Sequence, residues 1–250
     1  MKPAPLIQLL SFASLFVFAS SQAQAARVLY IGDSHSYLAT HAEEGATKRL
    51  GHVLLEGLKG AGHELDYYAA CGSAPKGWAN GGRTGCGYTR VVGGVFESKK
   101  SFDFPRLASL DPKRFTHYIV NLGDNLFNWE RQGKFVSRVS RARVSSELSA
   151  FFEALGTTTP ENCTWVGPTY HLAGASYHKT NEAVDELYAA LKTALAGKCR
   201  LLDSRAIVVT KTPSDGLHHV SKDSAAWGEG ILRQLGKLKE YKPAPMPVDE

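Results

Sequence analysis

The stretch Arg27-Val28-Leu29-Tyr30-Ile31-Gly32-Asp33-Ser34-His35-Ser36 decides how the chain is read. Val28 to Ile31 run apolar without a polar break, which suits a strand buried on both faces of a parallel sheet. The run stops at Gly32-Asp33-Ser34, so a hydroxyl stands where the strand ends. Open α/β sheets bind ligands outside the carboxyl ends of their strands, and a serine there is placed to act as a nucleophile. The same tripeptide also reads as a turn that caps the next helix, with no chemistry at all. A base and an oxyanion site elsewhere in the chain separate the two readings.

Upstream of the strand, residues 1–25 carry Lys2, an apolar core from Leu6 to Phe18 and small residues before Ala26. That is the anatomy of a secretory signal cleaved after Ala25, and its core is short and mixed for a membrane span. The expected product is secreted or periplasmic, with no stable membrane insertion. One domain is expected over residues 26–240, followed by a Pro-containing, aperiodic tail over 241–250 that is expected to be disordered. A monomer is expected.

The net charge of +5 is mild. Lys99-Lys100, Lys113-Arg114 and Arg138 to Arg143 are each followed by apolar or acidic residues, whereas a nucleic-acid surface needs a denser basic row with interleaved aromatics. Four cysteines lie beyond the signal. In an exported chain an even count suggests disulfides, and Cys71 with Cys86 and Cys163 with Cys199 are the economical pairs among three connectivities. Neither spacing suits zinc, and no metal is expected.

Downstream, helical spacing covers about 43–59, and Glu64 to Ala70 reads as a second strand ending at Cys71-Gly72-Ser73. Residues 72–101 read as a long, aperiodic and therefore functional loop, in which Trp78 either stacks on a sugar or folds underneath. A third apolar strand, His117 to Leu122, breaks at Gly123-Asp124-Asn125, where Asp124 is expected to be solvated. Helices over 140–155 and 180–196 alternate with strands at 164–167 and 200–203. A turn-rich loop, Thr212 to His219, then leads into a helix capped by Ser221 and reaching about Leu238. The alternation predicts an α/β chain, a three-layer α/β/α sandwich around a mainly parallel five-stranded sheet.

Three strand ends and one late loop thus supply Ser34, Gly72, Asn125 and the Asp215/His218 pair at one sheet edge. This set resembles the SGNH hydrolases, the GDSL-type esterases and lipases, in order and spacing over most of the chain past the leader. Gly32-Asp33-Ser34 looks like the nucleophile block, Gly72 like the oxyanion glycine, Gly123-Asp124-Asn125 like the Gly-x-Asn block and Asp215-Gly216-Leu217-His218 like the Asp-x-x-His block. The family block usually continues Gly-x-Asn-Asp, and here Leu126 follows Asn125 instead.

The resemblance implies a flavodoxin-like SGNH sandwich working without cofactor through a Ser34-His218-Asp215 triad. Its oxyanion site would combine the Asn125 amide with the backbone N–H groups of Gly72 and Ser34. His219 stands as an alternative base, since only its spacing to Asp215 separates it from His218. Trp78, Trp129, Tyr170 and His171 are the candidate cleft-lining residues. The implied activity is that of an exported serine esterase cleaving acyl esters, O-acetyl groups on a carbohydrate or envelope polysaccharide above all. An SGNH-type O-acyltransferase and a non-catalytic carbohydrate-binding protein are the alternatives.

Overall fold

The computed structural model describes residues 25–38, 49–99, 102–171, 177–207, 209–210, 217–219 and 221–236. Its centre is β1 (Arg27–Gly32), buried along nearly its whole length. Parallel to it run β2 (Glu64–Ala70) on one side and β5 (His117–Asn121) on the other, followed outward by β6 (Cys163–Val166) and β7 (Arg200–Leu202). Beyond β2 the sheet gains an antiparallel hairpin, β3 (Tyr88–Val92) and β4 (Val95–Lys99). The order is β7-β6-β5-β1-β2-β3-β4, seven strands where the sequence predicts five.

The five expected strands are the parallel ones, and the correction is the hairpin. It lies in the stretch read as an aperiodic loop. That stretch also holds a short helix, α2 (Pro75–Asn80), and a strand over Gly82–Thr84 paired with Phe102–Phe104. Gly93 and Gly94 both take positive φ, 56° and 81°, which turns the two strands tightly back on each other.

Side chains of β1 alternate between two cores, as the period of a strand requires. Leu29 and Ile31 join Trp165, Phe151 and Leu187 under α3 (Arg141–Leu155) and α4 (Asn181–Ala194). Val28 and Tyr30 join Tyr67, Leu54 and Trp227 under α1 (Leu50–Gly60) and α5 (Ser221–Gly236). Truncating a residue such as Ile31 to Ala removes roughly 2–5 kcal/mol from a core of this kind.

Helices α1 and α5 cross closely at Gly228, where an added Cβ would lie 3.1 Å from the Leu50 carbonyl oxygen. Helix α3 is capped by Ser140, whose hydroxyl accepts from the Arg143 N–H, and α4 by Thr180, which accepts from Ala183. Both disulfides, Cys71–Cys86 and Cys163–Cys199, are formed. Among the described residues no helix is long and apolar enough to cross a membrane. The expected signal, residues 1–24 of it, and the tail over 241–250 lie outside the described residues, as does the first part of the helix expected over 43–59.

Candidate active site

The turn after β1 is fixed from several directions. At Gly32 a Cβ would sit 2.4 Å from the Ser36 hydroxyl, so the strand must end without a side chain. Asp33 then caps a 3-10 turn over Ser34–Ser36 by accepting the His35 N–H at 3.0 Å, and its own N–H donates to the Asn121 carbonyl at 3.1 Å. Below, the Tyr30 hydroxyl meets Ser36 Oγ at 2.6 Å and the Tyr67 hydroxyl donates to the Ser36 carbonyl. These bonds hold the backbone of the turn while Ser34 itself reaches the surface.

Ser34 Oγ lies 2.9 Å from His218 Nε2. The two residues are 184 positions apart, and this is the hydroxyl–imidazole contact that nucleophilic catalysis by serine needs. The neighbouring His219 is turned away: its Nε2 meets Thr169 Oγ1 at 2.5 Å, and burial pushes its pKa down to about 2. Of the two candidate bases, His218 is the one at the hydroxyl. Asp215 lies outside the described residues.

Asn125 sits in a second 3-10 turn, Asp124–Leu126, just past β5. Its side-chain Nδ2 is buried and has no hydrogen-bond partner among the described residues. An amide donor held dry and unpaired costs free energy, so such a group invites a function. The turn around it is clamped from α3 by Arg143, which donates to the carbonyls of Asn125 at 3.0 Å and Phe127 at 2.9 Å and to Asn128 Oδ1 at 2.7 Å. Gly72 follows β2 with φ of 74°, a conformation that favours glycine and turns the chain sharply at the strand end.

Asp124 corrects an expectation. It is 2 % exposed rather than solvated, with Lys179 Nζ donating to Oδ1 at 2.6 Å and His35 Nε2 3.0 Å from Oδ2. Burial disfavours the carboxylate, but Lys179 and His35 outweigh it and hold the Asp124 pKa well below the usual range. Burial likewise disfavours the His35 imidazolium, and Asp124 reverses that, raising the His35 pKa. Burial pushes Asp33 up to about 6 against the pull of His35. Lys179 carries no motif in the sequence, and His35 stands there only as the neighbour of the serine in Gly-Asp-Ser-His-Ser, with no role of its own.

The cleft over Ser34 encloses about 310 Å³ and is lined by Ser34, His35, Tyr37, Arg49, Cys71, His218, His219 and Ser224. Among the described side chains, three of the residues expected to line it, Trp78, Trp129 and Tyr170, do not. Trp78 is wholly buried against Phe104 and donates from Nε1 to Ser73 Oγ at 3.0 Å; Ser73 in turn donates to the Gly32 carbonyl. Its large apolar ring found a core site in the short helix α2. Trp129 lies in a strand, Asn128–Gln132, wedged edge-on between Phe127 and Tyr177. Tyr170 donates its hydroxyl to Asp185 at 2.6 Å, and His171 falls in the same two-residue strand. Among the described residues, Tyr37, three positions past the serine, lines the cleft.

No family model matches the chain. Among curated proteins it is similar to protein BcsX of Komagataeibacter xylinus, 28% identical over 229 residues that span 87% of this chain and 81% of the relative. Among solved structures it superposes on an aryl esterase of M. smegmatis in its inhibitor-bound form with a TM-score of 0.51 at 15% identity, covering 86% of this chain and 100% of the other. The fold is that of the SGNH hydrolases. A carbohydrate acetylesterase family member from Sinorhizobium meliloti shares it, at TM-score 0.51 and 16% identity over 84% of this chain and 98% of the other. In the SGNH fold of this chain, then, a serine–histidine contact lies in a small cleft at the carboxyl end of β1, and a dry amide stands in the turn past the neighbouring strand β5.

Proposed function

We propose that this protein is an exported serine esterase that removes small acyl groups, acetyl above all, from a carbohydrate or envelope polysaccharide. The observation that carries the reading is the 2.9 Å contact between Ser34 Oγ and His218 Nε2. A serine hydroxyl is a poor nucleophile until a base takes its proton, and His218 is within reach to do so. Attack on the ester carbonyl forms a tetrahedral oxyanion, for which the unpaired Asn125 amide and the N–H groups of Gly72 and Ser34 are the donors. The imidazolium of His218 then protonates the leaving alcohol, and the acyl group stays on Ser34. Water, deprotonated by the same imidazole, releases the acid. Asp215, three residues before His218, is assigned the carboxylate that holds the ring in the correct tautomer.

Three features favour a small acyl group and an exported setting. The cleft of about 310 Å³ is at the lower end for ligand sites. Arg49, Tyr37 and Ser224 give it a polar wall suited to hydroxyl-rich substrates. Two disulfides and a signal-like leader fit an oxidising compartment.

The test is turnover of aryl acetate, butyrate and octanoate alongside an acetylated polysaccharide. The proposal expects acetate to be released fastest from the aryl series and from the polymer. Preference for octanoate contradicts the small-acyl assignment. Added acceptor polysaccharide that gains acyl groups while free acetate falls assigns acyl transfer instead of hydrolysis.

A further inference from the structure

Beside the Ser34–His218 pair lies a row of buried ionisable side chains that the proposed reaction does not use. Lys179, Asp124 and His35 have side chains 0, 2 and 3 % exposed, joined by the contacts of 2.6 Å and 3.0 Å already described. Charges taken so far from water are costly unless each meets its opposite, and well-packed apolar residues would serve stability as well or better. The row therefore asks for a role other than holding the fold.

Its members come from three separate places. His35 directly follows the serine, Asp124 directly precedes Asn125, and Lys179 stands two residues before α4. The segment carrying Lys179 is itself pinned, since the Thr180 N–H donates to Ser137 Oγ at 3.1 Å. The row thus ties the turn that carries the hydroxyl to the turn that carries the dry amide, and braces both against one helix.

On the reading that Ser34 is the acylated nucleophile, we propose that His35 and Asp124 are positioning residues. Their ion pair, backed by Lys179, fixes where the Asn125 amide stands relative to the atom that Ser34 attacks. An oxyanion donor acts only if it is already in place when the charge appears, and a rigid buried strut supplies that preorganisation.

The charges also alternate along the row. Asp33, whose Oδ1 accepts the His35 N–H, stands on one side of His35, and Asp124 with Lys179 on the other. Among the described residues, the other titratable groups facing His35 are His218 and His219, with ring centroids 5.1 Å and 5.9 Å away, and Trp227 packs edge-on at 5.5 Å. His219 stays neutral, for the burial given above. Loss of the His35 proton leaves two carboxylates facing one ammonium next to the developing oxyanion. Turnover is then expected to fall on the alkaline side.

The experiment compares the purified protein with Asp124→Asn and His35→Gln, which keep the shape of the row. Read-outs are kcat and KM for phenyl acetate from about pH 6 to 10, across the range in which a raised histidine pKa titrates, and the rate of fluorophosphonate labelling, at a temperature where circular dichroism finds each protein folded. Each variant is expected to lose kcat by about 100-fold, with KM changed far less, and labelling should slow in parallel. The unaltered protein should lose kcat with rising pH, and the residual activity of both variants should not.

Variants that turn over at the parental rate while merely melting earlier would make the row structural and overturn the proposal. A flat alkaline profile in the unaltered protein overturns the charge argument even if neither variant folds. Failure of the esterase reading looks different, because the unaltered protein would then take no label on Ser34.

Discussion

Two turns of this molecule make an instructive pair: the one after β1, at Gly32-Asp33-Ser34-His35, and the one between β3 and β4, at Gly93-Gly94. Both follow strands of the same sheet and both use glycine. At the first, the polar side chains of Asp33, His35 and Ser36 are buried, Asp33 and Ser36 at 0 % exposure, and each has a polar contact. At the second, the apolar side chains of Val95 and Phe96 face solvent at 71 % and 45 % exposure, and ion pairs of Glu97 with Arg90 and Lys99 sit at the surface. Burying polar groups is costly and exposing apolar ones gains nothing, so each turn departs from what folding alone prefers. The departure at the first turn is compensated for the most part by hydrogen bonds, Asp33 Oδ2 being left over, and that turn carries the Ser34 hydroxyl, while the unpaired Asn125 amide stands in the turn past the neighbouring strand β5. Largely compensated polar burial thus marks the end of the sheet to which the proposed chemistry is assigned.

Substitutions grade that contrast. Ser34→Ala should abolish ester cleavage, by about four powers of ten or more in kcat, while far-ultraviolet circular dichroism stays unchanged. Next comes Asn125→Ala: steady-state kinetics should register a kcat loss of about 100- to 1,000-fold with KM nearly kept, since in the proposed mechanism the amide meets the oxyanion and not the ground state. Equal losses in binding and turnover would remove Asn125 from that role.

The third concerns stability and pH. The His35 pKa is raised in the folded chain by Asp124, so the folded state binds its proton more tightly than the unfolded chain does. The resulting stabilisation is complete below the ordinary histidine pKa and is lost as pH rises through the raised one. Urea titrations on a pH series should record that decline in the unaltered protein, and His35→Gln should flatten it. Smallest of all, Phe96→Ser at the hairpin should move stability by no more than about 0.5 kcal/mol and leave kcat alone. A clear loss of activity there would erase the distinction between the two turns.

Much of the sheet was legible because parallel strands buried on both faces read as unbroken apolar runs, as Val28 to Ile31 and His117 to Leu122 do. The hairpin was not. Val95–Lys99 exposes residues on both faces, so it has neither an apolar run nor a clean alternation. Trp78 was ambiguous for another reason, since α2 is six residues long and too short to show a helical period.

At the site, the serine, the amide and the histidine stood out because each follows a glycine-broken strand or lies in a turn-rich loop. The buried row did not, because nothing in the sequence pairs Lys179 with Asp124 across 55 positions. An aspartate in a Gly-Asp-Asn turn reads as solvated until the lysine beneath it is seen. Likewise, Trp78 and Trp129 are taken up by packing, and Tyr37, which lines the cleft, has nothing in the sequence that sets it apart from the motif beside it.

The most direct measurement is to expose the folded, purified protein to a fluorophosphonate and locate the adduct by mass spectrometry. The account predicts a single modified residue, Ser34, with labelling suppressed in His218→Ala. Modification elsewhere, or none on Ser34 in a protein that still cleaves esters, would contradict it.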